Sequence, residues 1–485
     1  MLSNVNQDFL EKNLYKYGVV LSSSKIFLDN EKMEFMKKWN YDYIHGNYLY
    51  VHPLESKLMF NIFNTTVVIV GDVFVAHGSL SIEKNIQNFI SYNDWSYIDN
   101  LSGRFVFFII NDSDTKVFTD PLGSKTIYYY SKSNEYMIGS HSSLLASILN
   151  IDASIEMGEY IEMNEYRSKG TRFLPGDLTM FDNIFGLCPN NYFSSKLRKT
   201  VRFWPRGFIQ QKTIEDLNNL FYEYFMNFVN FVYKNDYNPI FGLTAGVDTR
   251  AVMSPFSKLN KDFYTITWDR AIDDDEKRVI DELKDYLGRK HVWLNTKEVK
   301  KSNLFQFHRD IANYNSGFSR GKCSLTAQMN EIVNANDIFV RGLGGEVIRG
   351  MFNRGNMKNK AVKELSNIDF ITRLYNSAKI TSPSHDYKMR TYKYLLGFYE
   401  RNNLNQDLIF DCDLGDLIYW EQRMGMWASN LHNEMDSAVK GFSGINSRIL
   451  FETAYGIPSE KRFDRCLLLE LGKIFDKELC SMEYV

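Results

Sequence analysis

The sequence predicts a chain in two parts, a mainly β half followed by an α/β half built on a parallel sheet. Three observations predict it. A length of 485 residues exceeds what a single hydrophobic core usually organises. Short apolar or alternating runs, divided by polar turns, dominate up to about residue 135. From about residue 211 strand-like and helix-like runs alternate, which is the pattern of a parallel sheet.

In the first half, TVVIVGDVFVAHG around residues 65–77 and GRFVFFIIND at 103–112 read as strands. The irregular stretch RFLPGDLTMFDNIFGLCPNN and the FWP after it, at about 170–210, mark the boundary, so the expected domains are 1–205 and 206–485, each with its own core. Past the boundary, Thr213 and Asp216 form a capping-box start. Leu217, Leu220, Phe221, Tyr224, Phe225, Phe228 and Phe231 then fall on one helical face. A run bounded by Asn238-Pro239 and Gly242 follows, then FYTITW, the helix-like DEKRVIDELKDYLG ending at a glycine, and HVWL.

Hydrophobic residues at 44% and charged ones at 24% exclude a disordered chain, while the aromatic share of 15% is high. A net charge of -2 gives no reason to bind nucleic acid or an anionic membrane, since both need a concentrated positive field. Cys188, Cys323, Cys412, Cys466 and Cys480 are scattered and without CxxC spacing, against a disulfide framework or a zinc site. The start carries no apolar signal core, and no stretch reaches the roughly 18 apolar residues of a membrane span. A cytoplasmic protein is expected. The eight histidines form no HExxH pair, no Ser/His/Asp triad follows from spacing, and His291 before a strand reads as structural.

The segment with the sharpest chemistry is PIFGLTAGVDTR. An apolar run enters a small-residue turn at Thr244, Ala245 and Gly246, then meets Asp248, Thr249 and Arg250. Backbone amides approach phosphate oxygens closely only where side chains are small. Hydroxyls add donors, and a following helix start adds its positive end. The same residues also suit a strand-to-helix turn selected for tight packing.

Here the sequence resembles the asparagine synthetase family, whose pyrophosphate loop SGGxDS is matched by TAGVDT, with Ala245 in place of a glycine. A second segment, VRGLGGEVIRG at 340–350, resembles the family's SGEGADE loop, with Gly342 and Gly344 on its glycines and Glu346 on an acidic position. Leu343 and Val347 stand where the family is acidic. The resemblance implies that Asp248 and Glu346 hold magnesium, both being oxygen donors. It places Leu243 and the Thr265–Trp268 run, Thr267 included, beside the adenine of ATP. Asp275 and Glu276 fall near the family's acidic turn, whereas Asp273 and Asp274 read as a solvated first helical turn favoured by the helix dipole. Near the C-terminus Lys461 is the best match to the family's lysine, which offsets charge developing during transfer. Tyr419, Glu421 and Arg423 could line the acceptor pocket, although core packing explains the aromatic run as well.

The first half is similar to the family's glutaminase domain through LSGRFVFFIINDSDTKVFTDPLGSKTIYYY, with matches at Asp120, Pro121, Gly123, Lys125 and Tyr128 to Tyr130. A working glutaminase has a cysteine exposed after removal of Met1. Position 2 is Leu2, and the first cysteine is Cys188. The implied architecture is an Ntn-hydrolase-like β-sandwich flanked by helices, then a nucleotide α-hydrolase-like (PP-loop) α/β domain with a helical C-terminal part. The implied chemistry is attack of a substrate carboxylate on the α-phosphorus of ATP, then of an amine on the acyl-adenylate. The substrate would be a small molecule or peptide bearing both groups, as in β-lactam synthetases and lasso peptide cyclases, and biosynthetic partner proteins are compatible with it. Amidation with external ammonia, and a degenerate binding or scaffold homologue, are the alternatives.

Overall fold

The long apolar runs of the first half are strands buried on both faces. A computed structural model describes residues 12–27, 31–132, 135–169, 172–268, 272–295, 303–318, 323–351, 366–376, 383–464 and 466–484, apart from the side chains at 31, 32, 34, 303, 304, 323, 367 and 406. Leu2 and the side chain of Cys323 therefore lie outside the described residues.

β1 (Val19–Ser22), β2 (Asn40–Ile44), β3 (Asn47–Val51), β4 (Lys57–Ile62), β5 (Thr65–Val75) and β6 (Leu101–Ile110) come first. They are followed by β7 (Thr115–Thr119), β8 (Tyr128–Lys132), β9 (Glu135–Gly139), β10 (Ile184–Gly186), β11 (Asn191–Ser194) and β12 (Lys199–Arg202). These strands pair antiparallel in two six-stranded sheets, β10-β8-β9-β1-β3-β2 and β12-β11-β7-β6-β5-β4. Val19 and Leu21 of β1, Val68 and Val70 of β5, and Val106 and Phe108 of β6 share one apolar layer between the sheets. The alternate residues Val67, Ile69, Phe105 and Phe107 face outward and join a cluster with Ile86 and Phe89 of the Ile82–Tyr92 helix. Successive side chains thus meet two apolar surroundings, which is why these strands carry no polar alternation.

The second half holds β13 (Asn238–Gly242), β14 (Tyr264–Trp268), β15 (His291–Leu294), β16 (Asp337–Arg341) and β17 (Lys440–Ser443). They form a parallel sheet in the order β15-β14-β13-β16-β17. The chain is therefore mixed α/β, with antiparallel sheets in its first part and a parallel sheet in its second. The expected capping box opens the Ile214–Lys234 helix, and Asp273 caps the Asp274–Leu287 helix by accepting from the Glu276 amide, while Gly288 closes it at φ 56. Thr265 and His291 bond through Oγ1 and Nδ1 at 2.8 Å, which ties β14 to β15. None of the helices described is long and apolar enough to cross a membrane.

Each half has an apolar cluster of its own, and the two halves also share a third. One apolar cluster takes in Phe74 and Phe105 of the sandwich, Phe225 and Phe228 of the Ile214–Lys234 helix, and Phe241 of β13. The helix is the cause. Its Phe228 and Phe231 stack on Phe74 of β5 at 5.7 and 5.0 Å, and Phe228 meets Phe256 behind β13 edge-on at 5.9 Å. A helix with an apolar arc this wide is buried from both sides.

The DPLGSK turn joins the halves as well. The buried Asp120 carboxylate accepts from the amides of Leu122, Ser124 and Lys125 at 3.2, 2.9 and 2.8 Å and from the Asn446 amide group at 2.8 Å. The Pro121 carbonyl accepts from the Trp420 indole at 2.7 Å. A sequence motif of the first half is thereby built around residues of the second.

Candidate functional site

The strand order reverses between β13 and β16. From β13 the chain proceeds outward through β14 to β15, then crosses back to place β16 on β13's other side. Each of these two central strands ends in a small-residue turn followed by a helix, Val247–Lys258 after β13 and Gly345–Ile348 after β16. The two turns are in contact. A Cβ added at Gly342 would lie 2.6 Å from the Thr249 nitrogen and 2.7 Å from the Asp248 carbonyl carbon. One at Gly345 would lie 2.7 Å from Asp248 Oδ1. Glycine is required here because two backbones approach closely. Gly344 is a third case, at φ 96, where a Cβ would run into the Ile445 carbonyl oxygen.

In the first turn Thr244 Oγ1 accepts from the Gly246 amide at 3.2 Å, and Gly246 is the N-cap of its helix without a side-chain cap. Asp248 and Thr249 lie in the first turn of that helix, both partly exposed. Ala245, standing for a family glycine, is buried and is not among the residues with positive φ, so its methyl group carries no backbone strain. Leu243 and Thr267 are buried and bonded to one another, Thr267 Oγ1 donating to the Leu243 carbonyl at 2.7 Å. The Leu243 amide donates to Ile266. These groups tie the ends of β13 and β14 together. Arg250 serves the fold, donating to the carbonyls of Met482 and Glu483 at 2.7 and 2.9 Å.

Glu346 shares this neighbourhood. Its Oε2 is buried without a hydrogen-bond partner. Burial first, and the Asp248 charge second, push its carboxyl up to about 7. The electrostatic neighbours of Glu346 also include Arg349, Arg423, Arg341 and Tyr419. Burial, followed by the Glu346 charge, raises the Tyr419 hydroxyl well above its ordinary value. Burial lowers Arg423. Among the described residues no three His, Cys, Asp or Glu side chains converge, so Asp248 and Glu346 stand as a pair. Leu343 and Val347 pack into apolar surroundings, Val347 fully buried, which accounts for the loss of acidic character there.

Arg349 is the site residue that sequence reasoning passed over, although it lies inside the quoted VRGLGGEVIRG. Its guanidinium grips Asp248 with both ends, Nη2 to Oδ2 at 3.0 Å and Nε to Oδ1 at 3.3 Å. The signal available was a basic residue one turn beyond the glycines, three positions from Glu346. Glu421 is a correction. It is buried and paired with Arg202 of β12 at 2.6 and 2.8 Å, so it binds the second half to the first and does not line the site. Lys461 is exposed, whereas its neighbour Arg462 is buried, paired with Asp416 and donating to the Ile348 carbonyl beside the second turn.

Arg423 packs over the Trp427 ring at 3.7 Å and over Phe173 at 5.6 Å. Behind it Lys169 is buried with Nζ over the Tyr375 ring at 3.0 Å and no hydrogen-bond partner. Burial, then Arg423, holds its amine well below the ordinary lysine value. A depressed amine destabilises the fold wherever the unfolded chain is protonated and the folded one is not. Stability should therefore fall as pH drops below the ordinary value of 10.5. Lys169→Met is expected to raise stability at neutral pH by about 1–3 kcal/mol and to flatten that pH dependence, measured by urea unfolding at several pH values. A lower stability in the variant would show that the ring contact outweighs the burial cost.

No family model and no curated protein matches the chain. Among solved structures, glutamine phosphoribosylpyrophosphate amidotransferase from B. subtilis, complexed with ADP and GMP, is similar over 86% of this chain and 90% of that one, at 9% identity and a TM-score of 0.24. The allosteric regulatory enzyme of purine biosynthesis is similar over 72% of this chain and 73% of that one, at 9% identity and a TM-score of 0.22. Likenesses this loose assign neither the fold nor the chemistry of this chain.

Proposed function

We propose that the chain is an ATP-dependent carbon–nitrogen ligase of the asparagine synthetase type, with a glutaminase-like, Ntn-hydrolase-like part over 1–205 and a PP-loop synthetase part over 206–485. It joins a carboxylate to an amine through an acyl-adenylate, releasing AMP and pyrophosphate. The favoured product is an intramolecular lactam or macrolactam of a peptide or small natural product, because the first part has no cysteine before Cys188 to release ammonia from glutamine. The observation that carries this reading is the contact of the two glycine turns at the carboxyl ends of β13 and β16. In open α/β sheets, ligands bind outside the strand ends where the order reverses.

The residues fit magnesium and a polyphosphate. Asp248 and the orphaned Glu346 Oε2 are hard oxygen donors, and two protein carboxylates suffice for a magnesium ion that keeps waters and phosphate oxygens. Bound there, the ion supplies charge neutralisation on the phosphates. Thr244, Gly246 and the first-turn amides at Val247, Asp248 and Thr249 form the anion cradle, and Arg349 adds a fixed positive charge beside it. Catalysis by such a site is positioning and electrostatic stabilisation. Calorimetric titration with a non-hydrolysable ATP analogue, with and without magnesium, is the test. Magnesium-dependent binding supports the reading, and no binding at millimolar analogue defeats it.

Glu346 gives the reading a pH signature. A carboxyl raised from 4.5 to about 7 ionises late, so magnesium-dependent nucleotide binding should rise through about pH 7. The stability linked to its protonated form is complete below 4.5 and is lost as pH rises through about 7. Glu346→Gln should remove both the rising limb and most of the magnesium dependence. A profile unchanged by the substitution would exclude Glu346 from the metal.

A second reading, a non-catalytic binding or scaffold protein that retains the fold, is favoured by one observation. Arg349 occupies both carboxylate oxygens of Asp248. The same titration separates the two, since this reading expects no magnesium-dependent binding.

A further inference from the structure

The buried amine of Lys169 lies outside the two strand-end turns and has no role in them. The residue ends the Asn164–Ser168 helix, is 5% exposed, and its Nζ has no hydrogen-bond partner. Nζ stands 3.0 Å from the centroid of the Tyr375 ring and 5.5 Å from that of Phe173. The charge acting on it is another cation, Arg423, whose guanidinium carbon is 5.6 Å from the centroid of the same Phe173 ring. An ammonium here would hold three donors without an acceptor beside a like charge, and one ring face against it is worth less than the water it gives up. The amine is therefore uncharged at neutral pH, in line with the burial that depresses it.

The surroundings limit what can react with this amine. Tyr375 is fixed by its hydroxyl, which donates to the Phe173 carbonyl at 2.7 Å, and its electrostatic neighbours include the phenols of Tyr160, Tyr166 and Tyr387. Glu165, the carboxylate that acts on Tyr387, accepts from the Ser384 amide at 2.7 Å. Tyr166 and Phe173 also line a narrow cavity with about 40 Å³ open to water-sized molecules, which suits a reagent of a few heavy atoms and not a larger ligand. Leu174, Leu178 and Met180 make its walls largely apolar. A desolvated lysine beside a second cation is a nucleophile, and an apolar approach admits an uncharged electrophile. Carbon dioxide meets both conditions.

We propose that Lys169 is a site of reversible carbamylation by dissolved CO2, with the carbamate paired to Arg423. The Nζ lone pair attacks the CO2 carbon, an N–C bond forms as one C–O π bond passes to oxygen, and an Nζ proton leaves to water. The product sets an anion beside a guanidinium where an unpartnered amine stood beside a cation. Arg423 also neighbours Tyr419 and Glu346, and a guanidinium with five donors serves more than one acceptor. The step uses neither Asp248 nor the glycine turns and stands apart from the nucleotide reading.

The test uses the full chain and carbon-13 NMR with isotope-labelled bicarbonate, which supplies CO2, in mildly alkaline buffer. A saturable carbamate resonance present in wild type and missing from Lys169→Met is expected. Carbamates on the terminal amine and on exposed lysines occur in both proteins and cancel in the difference. The resonance should disappear on acidification, because protonation returns the amine and CO2. Arg423→Met should weaken the modification about tenfold, the size of one charge-assisted contact, and provides the decision should Lys169→Met fail to fold. Lys234→Met, at an exposed helix position, should leave it unchanged. Dissolved CO2 should also raise the melting temperature of wild type and not that of Lys169→Met, since what binds the folded state alone stabilises it. An empty difference spectrum would show that the Tyr375 ring holds the amine as an ammonium. That outcome, or full modification in Arg423→Met, overturns the proposal.

Discussion

Asp248→Asn should abolish magnesium-dependent nucleotide binding, lowering affinity by at least about 100-fold, because a neutral amide keeps the shape of the side chain and loses the anionic oxygen magnesium needs. The substitution acts on two partners. Arg349 is nearly buried, with 6% of its side chain exposed, and Asp248 is its bidentate acceptor. Removing that charge takes away the bidentate acceptor of the guanidinium and leaves Glu346 as its acidic neighbour, so a stability loss of about 1–3 kcal/mol should accompany the binding defect, reduced from the value for a fully buried pair because Asp248 retains 25% exposure. Arg349→Met separates the effects. If Arg349 competes with the metal for Asp248, this variant binds magnesium more tightly than wild type. If Arg349 helps hold the phosphates, nucleotide affinity falls while magnesium affinity is kept. Calorimetry with magnesium alone and with the nucleotide reads the two affinities independently. Binding of magnesium nucleotide that is unchanged in Asp248→Asn would remove Asp248 from the site.

What could be read from the sequence was what local pattern controls. Period and capping located the Ile214–Lys234 helix down to its Thr213–Asp216 box, and apolar runs located β5, β6 and β13 to β15. The two glycine turns were legible because close backbone approach demands small residues wherever it occurs. Pairings between distant positions were not. Nothing local to Glu421 announces Arg202, 219 positions away, and nothing local to Asp120 announces Asn446, 326 positions away. The apolar cluster shared by the two halves was hidden for the same reason. The Ile214–Lys234 helix shows a wide apolar arc in sequence, but that this arc is divided between Phe74 of one sheet and Phe256 behind another is a property of the packing. Arg349 lies between these cases. Its position was legible and its partner was not.

The largest stability effect is expected at Arg104, where the chain joins its halves through charge. Arg104 stands on β6 of the sandwich, and Asp436 lies just before β17 of the parallel sheet. Both are fully enclosed, at 2% and 1% exposure. All the donors of the guanidinium are engaged. Nε reaches the Ser124 carbonyl at 3.3 Å, Nη1 reaches Asp436 at 2.6 Å and the Gly441 carbonyl at 3.4 Å, and Nη2 reaches Asp436 at 2.6 Å and Asn433 at 3.3 Å. A buried pair so completely satisfied contributes little relative to an apolar pair of the same shape, yet breaking one side leaves a charge without water or partner. Asp436→Asn should therefore cost about 3–5 kcal/mol, measured by equilibrium urea unfolding. The double replacement Arg104→Met with Asp436→Leu should recover most of that loss. Because β6 and β17 pack together through this pair, the single variant should also separate one cooperative transition into two, with fluorescence and far-ultraviolet dichroism no longer coincident. A loss below about 1 kcal/mol in Asp436→Asn would show that the guanidinium finds water or another acceptor, and the buried pair would then not be what locks the sandwich to the parallel sheet.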